Sequence, residues 1–341
     1  MDAFTRGKLG ILACDSGGFF AQKVVEELKK IIEKEEGSDG IELIKTKETK
    51  FSNTELKTEI DESIRNQDVY IFQDVANQNA GLSVNDNFVA LKTAINAAKM
   101  ADAHYITAVI PVFPYARQDK AKTREGVTAA MAARELEDAG ATRVITLDVH
   151  NEAIAGFFRK AILENLRASK NFMDYIKENI GFNDLVIVAP DAGGAARAIY
   201  YAKKLGIKLA LLHKERDYSK ANVVENTHLL GDVKGKKAFI IDDILDTAGT
   251  ILNSLKKMKE QGAKEIYVAA SLPLLTGPAI ERLSNAHQEG TLTRVIGTDA
   301  VYHGQGFANK YPWYVEVSVA KYFARVIYNI NRGISISRLL E

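Results

Sequence analysis

The chain has a single cysteine, Cys14, among 341 residues. One thiol excludes an internal disulfide framework and any zinc or iron–sulfur site built from several thiolates. Charge of one sign is missing as well. The 45 Lys and Arg stand against 44 Asp and Glu, a net charge of +1, without the basic excess that announces a nucleic-acid or membrane-surface partner. No apolar stretch approaches the ~18 residues of a membrane span, and the opening MDAFTRGKLGILAC carries no cleavable signal pattern. Three common motifs are absent: G-x-x-x-x-G-K followed by Ser or Thr, G-x-G-x-x-G, and H-E-x-x-H. What remains is ordinary globular composition, 46% hydrophobic and 26% charged. The length suits about two domains, and the expectation is a soluble, cytoplasmic protein.

Short apolar runs alternate with segments of helical period. Leu9–Ala13, Val69–Phe72, Tyr105–Ile110, Val144–Leu147, Leu185–Ala189, Leu209–Leu212, Ala238–Ile241, Ile266–Ala270 and Val295–Ile296 read as strands. They are apolar throughout rather than alternating, as expected of parallel strands covered on both faces. Between them, Val84, Phe88, Leu91, Ile95 and Ala98 step by four and three, as do Ile251, Leu255 and Met258, and Val319, Phe323, Val326 and Ile330. This alternation predicts parallel α/β sheets with right-handed crossovers. Ala139–Arg143 and Gln261–Glu265 repeat one pattern, a Gly-Ala step from helix into strand. Two similar halves follow weakly from it, with the join expected in a polar helical stretch near Leu163–Asn179.

The densest chemistry lies in AFIIDDILDTAGT, residues 238–250. A buried strand ends in Asp242 and Asp243; Asp246, Thr247, Ala248, Gly249 and Thr250 then open a helix. Backbone N–H groups at such a start, with hydroxyls and a small residue beside them, make a phosphate cup. Carboxylates suit sugar hydroxyls or a metal ion instead, so the combination describes a sugar phosphate. A plain N-cap by Asp246 or Thr247 explains one such residue, but not three carboxylates and two threonines in nine positions. Elsewhere, Arg117 and Gln118 follow a stiff Pro111–Pro114 segment and offer donors for phosphate and a ring or ribose edge. His150 and Asp191 sit at strand tips. Asp191-Ala-Gly193-Gly194 resembles a phosphate turn, and Lys214 and Arg216 occupy alternate positions after the strand KLALLH.

The 238–250 segment resembles the phosphoribosyl-diphosphate loop shared by type I phosphoribosyltransferases and ribose-phosphate pyrophosphokinases. Phe113–Lys120 (FPYARQDK) and Phe51–Glu55 (FSNTE) resemble the pyrophosphokinases alone. Asn85–Asn87, Asp148–His150 with Gly156–Phe158, Pro190–Gly194 and His213–Arg216 fall in that family's order, so the resemblance runs from about Leu9 to Ser337. It implies two similar phosphoribosyltransferase-like α/β domains, each a central, mainly parallel sheet flanked by helices. Residues 1–165 would bind ATP and contact other subunits, residues 166–324 would bind ribose 5-phosphate, and 325–341 would pack back on the first.

The implied reaction moves the β,γ-diphosphoryl group of ATP to the anomeric hydroxyl of ribose 5-phosphate. Lys214 and Arg216 would be the catalytic pair at the root of a flexible loop, Asp217–Val224. Arg117, Gln118, Asp119 and His150 would bind ATP, with Phe51, Asn53 and Glu55 supplying the adenine pocket of a neighbouring subunit. Asp191, Gly193, Gly194, Asp242, Asp243, Asp246, Thr247, Ala248, Gly249 and Thr250 would together bind ribose 5-phosphate and the diphosphate. Mg²⁺ is the implied cofactor, met by His150 and Asp191. The implied assembly is a homo-oligomer, dimer-based and hexameric, with no nucleic-acid or membrane partner. Ser335 and Ser337, read as alternating on a short strand, resemble a regulatory phosphate pair. A phosphoribosyltransferase or a non-catalytic synthetase-associated subunit are the competing readings.

Three departures from the family pattern stand out. Arg159 takes the place of an Asp after Gly156-Phe-Phe158, and a later Asp is matched only by Glu164. The ATP loop after Gln118 is about one residue short. The opening loop, Cys14–Gly18, has its own sequence.

Overall fold

The computed structural model describes the backbone of residues 5–37, 40–77, 81–216 and 224–340, and the side chains of these except 214–216, 224–227 and 340. Two compact units result: Met1–Arg167 with Asp299–Gly304 and Ser318–Glu341, and Ala168–Thr298 with Gln305–Val317.

The first unit begins with strand β1 (Leu9–Ala13) and helix α1 (Gly18–Glu36), followed by an antiparallel hairpin of β2 (Thr46–Lys50) and β3 (Leu56–Ile60). It continues through β4 (Asp68–Phe72), α2 (Val84–Met100), β5 (Tyr105–Val109), α3 (Thr128–Ala139), β6 (Arg143–Leu147) and β7 (Ile162–Leu166). The sheet order is β1-β4-β5-β6-β7, parallel throughout. Its core joins strand residues such as Val69, Ile71, Ala108 and Val144 to Phe88, Leu91 and Ile95 of α2. The stretch near Leu163 therefore opens as a strand, not a helix. β7 lies at the sheet edge, where Glu164 is half-buried and ion-paired with Arg143 of β6. Such cross-strand pairing lets a polar sequence serve as a strand.

The second unit holds α4 (Ser169–Tyr175), β8 (Leu185–Ala189), α5 (Ala195–Leu205), β9 (Lys208–Arg216), β10 (Val224–Leu230), β11 (Lys237–Ile244) and α6 (Gly249–Glu260). After these come β12 (Glu265–Leu272), α7 (Ala279–Gln288), β13 (Arg294–Thr298), α8 (Phe307–Lys310) and β14 (Tyr314–Val317). The order is β10-β9-β8-β11-β12-β13-β14, with only the β9–β10 pair antiparallel. Ile251, Leu255 and Met258 of α6 and Leu283 of α7 cover this sheet, and Trp313 is buried with them.

The chain then returns to the first unit with α9 (Ala320–Asn331) and α10 (Ser337–Leu340). α9 packs on α1 through Phe20 and Phe323, whose ring centroids stand 5.1 Å apart edge to face. Asn331 donates to Asp68 at 3.1 Å. Gly140 and Gly262, the two glycines of the repeated pattern, both have positive φ, at 129° and 82°. That conformation disfavours a side chain and explains the glycine at each helix-to-strand corner.

Candidate active site

In the second unit, successive strands are laid down on one side of β8 and then, from β11, on the other. The carboxyl ends of β8 and β11 thus flank a topological switch point, the usual ligand crevice of open α/β sheets. β8 runs into Pro190-Asp191-Ala192-Gly193-Gly194 and then α5. Asp191 Oδ1 accepts the Gly194 N–H at 3.0 Å, closing the turn. A Cβ at Gly193 would lie 3.2 Å from that oxygen, and one at Gly194 3.1 Å from Pro190 Cδ.

Across the switch point, β11 carries Asp242 and Asp243. Arg197, in the first turn of α5, reaches them at 3.5 and 3.3 Å. Burial pushes Asp242 up to about 8, and the hydrogen-bonded Asp243 carboxyl beside it adds to the shift. At neutral pH the two carboxyls therefore share a proton, and Arg197 faces the charge that remains. Among the described residues no three His, Cys, Asp or Glu side chains converge as a metal cage. A hard cation held by one or two carboxylates and completed by substrate phosphates and water fits this set.

The start of α6 is open. Ala248 adopts a left-handed conformation, φ 61°, and no side chain caps the helix. Asp246 is instead engaged by the Thr276 hydroxyl, and Arg282 donates to the Thr247 carbonyl at 2.8 Å. Neither Asp246 nor Thr247 is a cap, so the first-turn N–H groups of α6 keep the anion-binding character of a helix start. β9 runs unbroken through Lys214 and Arg216, placing them at alternate positions, and Arg216 pairs in register with Val224 of β10. The loop expected at Asp217–Val224 lies outside the described residues except for Val224.

The first unit holds the residues assigned to ATP. Phe113–Ala116 are mostly buried, and Arg117 and Gln118 emerge exposed. Tyr115 turns the chain at φ 59°, with its ring edge-on to Phe88 and its hydroxyl 2.5 Å from Asn85 Oδ1. Asp119 accepts from Asn151 at 2.5 Å, which holds its carboxyl below the usual range. His150 is exposed just past β6. Phe51, Asn53 and Glu55 form the tip of the β2–β3 hairpin. Phe51 N–H donates to the Glu55 carbonyl at 2.9 Å, and Asn53 Oδ1 accepts the Glu55 N–H at 3.2 Å. Phe51 is 47% exposed, so its ring is presented rather than buried.

Several motif residues do structural work. Asn87 is fully buried and accepts from Ser16 at 2.6 Å; Asp86 forms a capping box with Ser83. Arg159 pairs with Glu137 and Asp138. Burial works against ionisation of Glu137, yet the N–H groups of Ala161, Lys160 and Arg159 and the Arg159 side chain hold its carboxyl low. Ser335 and Ser337 are not on a strand. Ser337 N–H donates to Ser335 Oγ at 3.3 Å at the start of α10, a local turn that competes with strand pairing. Sequence reading missed Arg197, Arg282 and Asn151. An arginine three residues past Gly194, on the first turn of a helix leaving the phosphate turn, could have flagged Arg197. Arg282 comes from a distant helix, and no local signal marks it.

The comparisons with known proteins agree with this architecture. Residues 9–140 match the N-terminal domain of ribose phosphate pyrophosphokinase, and residues 159–307 a phosphoribosyl transferase domain. Ribose-phosphate pyrophosphokinase A of Dictyostelium discoideum is 41% identical over 86% of this chain and 88% of its own length. Ribose-phosphate pyrophosphokinase 1 of Listeria monocytogenes is 37% identical over 98% of both chains. The crystal structure of phosphoribosylpyrophosphate synthetase from Mycobacterium smegmatis superposes with a TM-score of 0.82 at 31% identity, covering 95% of this chain and 98% of that one. With sequence, fold and coverage all in accord, the chain belongs to the ribose-phosphate pyrophosphokinase family.

Proposed function

We propose that the chain is a ribose-phosphate diphosphokinase that makes phosphoribosyl diphosphate and AMP for nucleotide biosynthesis, using the residues described above. The anomeric oxygen of ribose 5-phosphate attacks the β-phosphorus of ATP, its proton leaves to solvent or a nearby base, and the bond from Pβ to the α-phosphate oxygen breaks. The open start of α6 carries this reading most directly. It offers N–H groups and the hydroxyls of Thr247 and Thr250 to the 5-phosphate, beside Asp242 and Asp243 for the ribose hydroxyls. Asp246, already bonded to Thr276, steadies the loop between them.

Asp191, Gly193 and Gly194 would receive the transferred diphosphoryl group. Arg117, Gln118, Asp119 and His150 would hold ATP, and the exposed Phe51 with Asn53 and Glu55 would enclose the adenine of a neighbouring subunit. Such a tip needs a homo-oligomer, dimer-based and hexameric in the family. Lys214 and Arg216 neutralise the charge that grows on the departing α-phosphate. Mg²⁺, when bound through Asp191 and His150, supplies further charge neutralisation at the phosphates. In this reading ATP lies on the first unit, formed mainly by residues 1–165, and the sugar phosphate on the second, which falls within 166–324. A regulatory phosphate at the exposed Ser335 and Ser337 and a cytoplasmic location complete the reading.

Incubation with Mg²⁺, ATP and ribose 5-phosphate tests it, with AMP and phosphoribosyl diphosphate quantified together. Equimolar, sugar-dependent appearance of both is expected. ATP binding without either product would overturn the catalytic assignment.

A further inference from the structure

We propose that Asn151 is a positioning residue of the ATP site, tying the Asp119 carboxylate to the turn that carries His150. The inference rests on the reading of Arg117–Asp119 and His150 as ATP-binding residues.

Asn151 Nδ2 lies 2.5 Å from Asp119 Oδ2, across 32 positions of sequence. Its Oδ1 accepts the Ala153 N–H at 3.0 Å and so caps the helical turn Glu152–Phe157. A backbone N–H only donates and an ionised carboxylate only accepts, so a single amide orientation serves both contacts. The base from which Asn151 projects is itself anchored to the sheet edge. Asn165 Oδ1 accepts the Val149 N–H at 2.9 Å, and the Asp148 N–H donates to the Leu166 carbonyl at 2.8 Å. Arg167 pairs with both Asp148 and Glu152 on either side of His150. Asp148 turns the chain within this clamp at a left-handed φ of 41°, a conformation that aspartate adopts more readily than most non-glycine residues.

The consequence is a chain of constraint from β7, through the His150 turn, to the segment that presents Arg117 and Gln118. A charge-assisted bond to Asp119 sets the spacing of the two ATP-binding segments before the nucleotide arrives. Helix capping alone would not require the side chain to reach Asp119. Serine or aspartate caps as well as asparagine.

Steady-state kinetics with ATP varied and ribose 5-phosphate saturating provide the test, using Asn151→Ala, Asn151→Ser, Asp119→Ala and the Asp119→Ala/Asn151→Ala double variant. Asn151→Ser keeps a cap and guards against loss of the fold. Both single Asn151 variants should raise KM for ATP roughly tenfold while kcat changes little. In the Asp119→Ala background Asn151→Ala should add almost nothing, because the two act as one unit. A full Asn151 effect in that background, an unaltered KM in Asn151→Ala, or recovery of the wild-type KM by Asn151→Ser would each overturn the proposal. If Asp119→Ala alone leaves KM for ATP unmoved, the ATP reading of this loop fails first, and the inference falls with it.

Discussion

The two units build the same kind of strand edge and use it in opposite ways. In the first, the strands advance in one direction from β1 to β7, and no switch point opens between the described strands. Polar groups past the ends of β1 and β4 are turned inward. Ser16 donates to Asn87, Asn77 donates to the Ser16 carbonyl at 2.9 Å, and Gln73 donates to the Asn87 carbonyl at 2.8 Å. Asp74 accepts N–H groups from Tyr302, Ala76 and Asn77, although burial pushes it up to about 7. Gly17 is packed so closely that a Cβ there would stand 2.5 Å from the Phe72 carbonyl oxygen.

In the second unit the strand order reverses, and the equivalent edge stays open. Asp191, Asp242 and Asp246 are only partly buried, and Thr247 and Thr250 are exposed. Helix starts differ within the molecule as well: α2 is closed by its Ser83–Asp86 box, whereas α6, like α1 and α3 of the first unit, is not capped by any side chain. A capped helix start is satisfied and structural, whereas an uncapped one keeps donors for an anion. The same architecture therefore buries its polar groups past β1 and β4 in the first unit and leaves them open to solvent past β8 and β11 in the second.

Substitutions can sharpen or break this contrast. The largest effect is expected at the open edge, where Lys214→Ala should lower kcat by about 10²–10³ and leave ATP affinity nearly intact. Rapid-quench turnover beside equilibrium ATP binding checks both, and a variant keeping most of its activity would remove Lys214 from the mechanism. Next, Asn87→Leu at the closed edge should cost about 2–3 kcal/mol of stability, because Ser16 and neighbouring polar groups lose their buried partner. Denaturant unfolding measures that loss. A large change in KM for ribose 5-phosphate, with stability untouched, would contradict the division of labour. The smallest effect belongs to Arg282→Ala, which frees the Thr247 carbonyl beside the left-handed Ala248. KM for ribose 5-phosphate should rise about tenfold, ~1.4 kcal/mol, with KM for ATP unchanged. An equal rise for both substrates would make Arg282 a general support of the unit instead.

Much of this was legible without coordinates. Each apolar run read as a strand is one, since a parallel strand buried on both faces needs an unbroken apolar sequence. The strands that escaped notice are those at edges or in hairpins: β2 and β3 with TKETK and LKTEI, β7, β10, and β14. Their pairing partners, not their own hydrophobicity, make them strands. The local motifs were equally readable, because a phosphate turn or a carboxylate-rich strand end is a short-range object.

The sequence by itself therefore determined the α/β class, the family, and where that family's loop motifs fall along the chain. Tertiary structure alone decided how each polar residue is used. It buried Asn87 as a structural bridge and exposed Phe51 at a hairpin tip. It set Arg197 against two aspartates and Arg282 against the start of α6, and it joined Asn151 to Asp119 across two loops. The physical reason is the range of the interactions. Periodicity and turn propensity act over a few residues and can be read along the chain. Hydrogen bonds and charge pairs between distant segments depend on which strands lie side by side, and that order exists only in the folded protein.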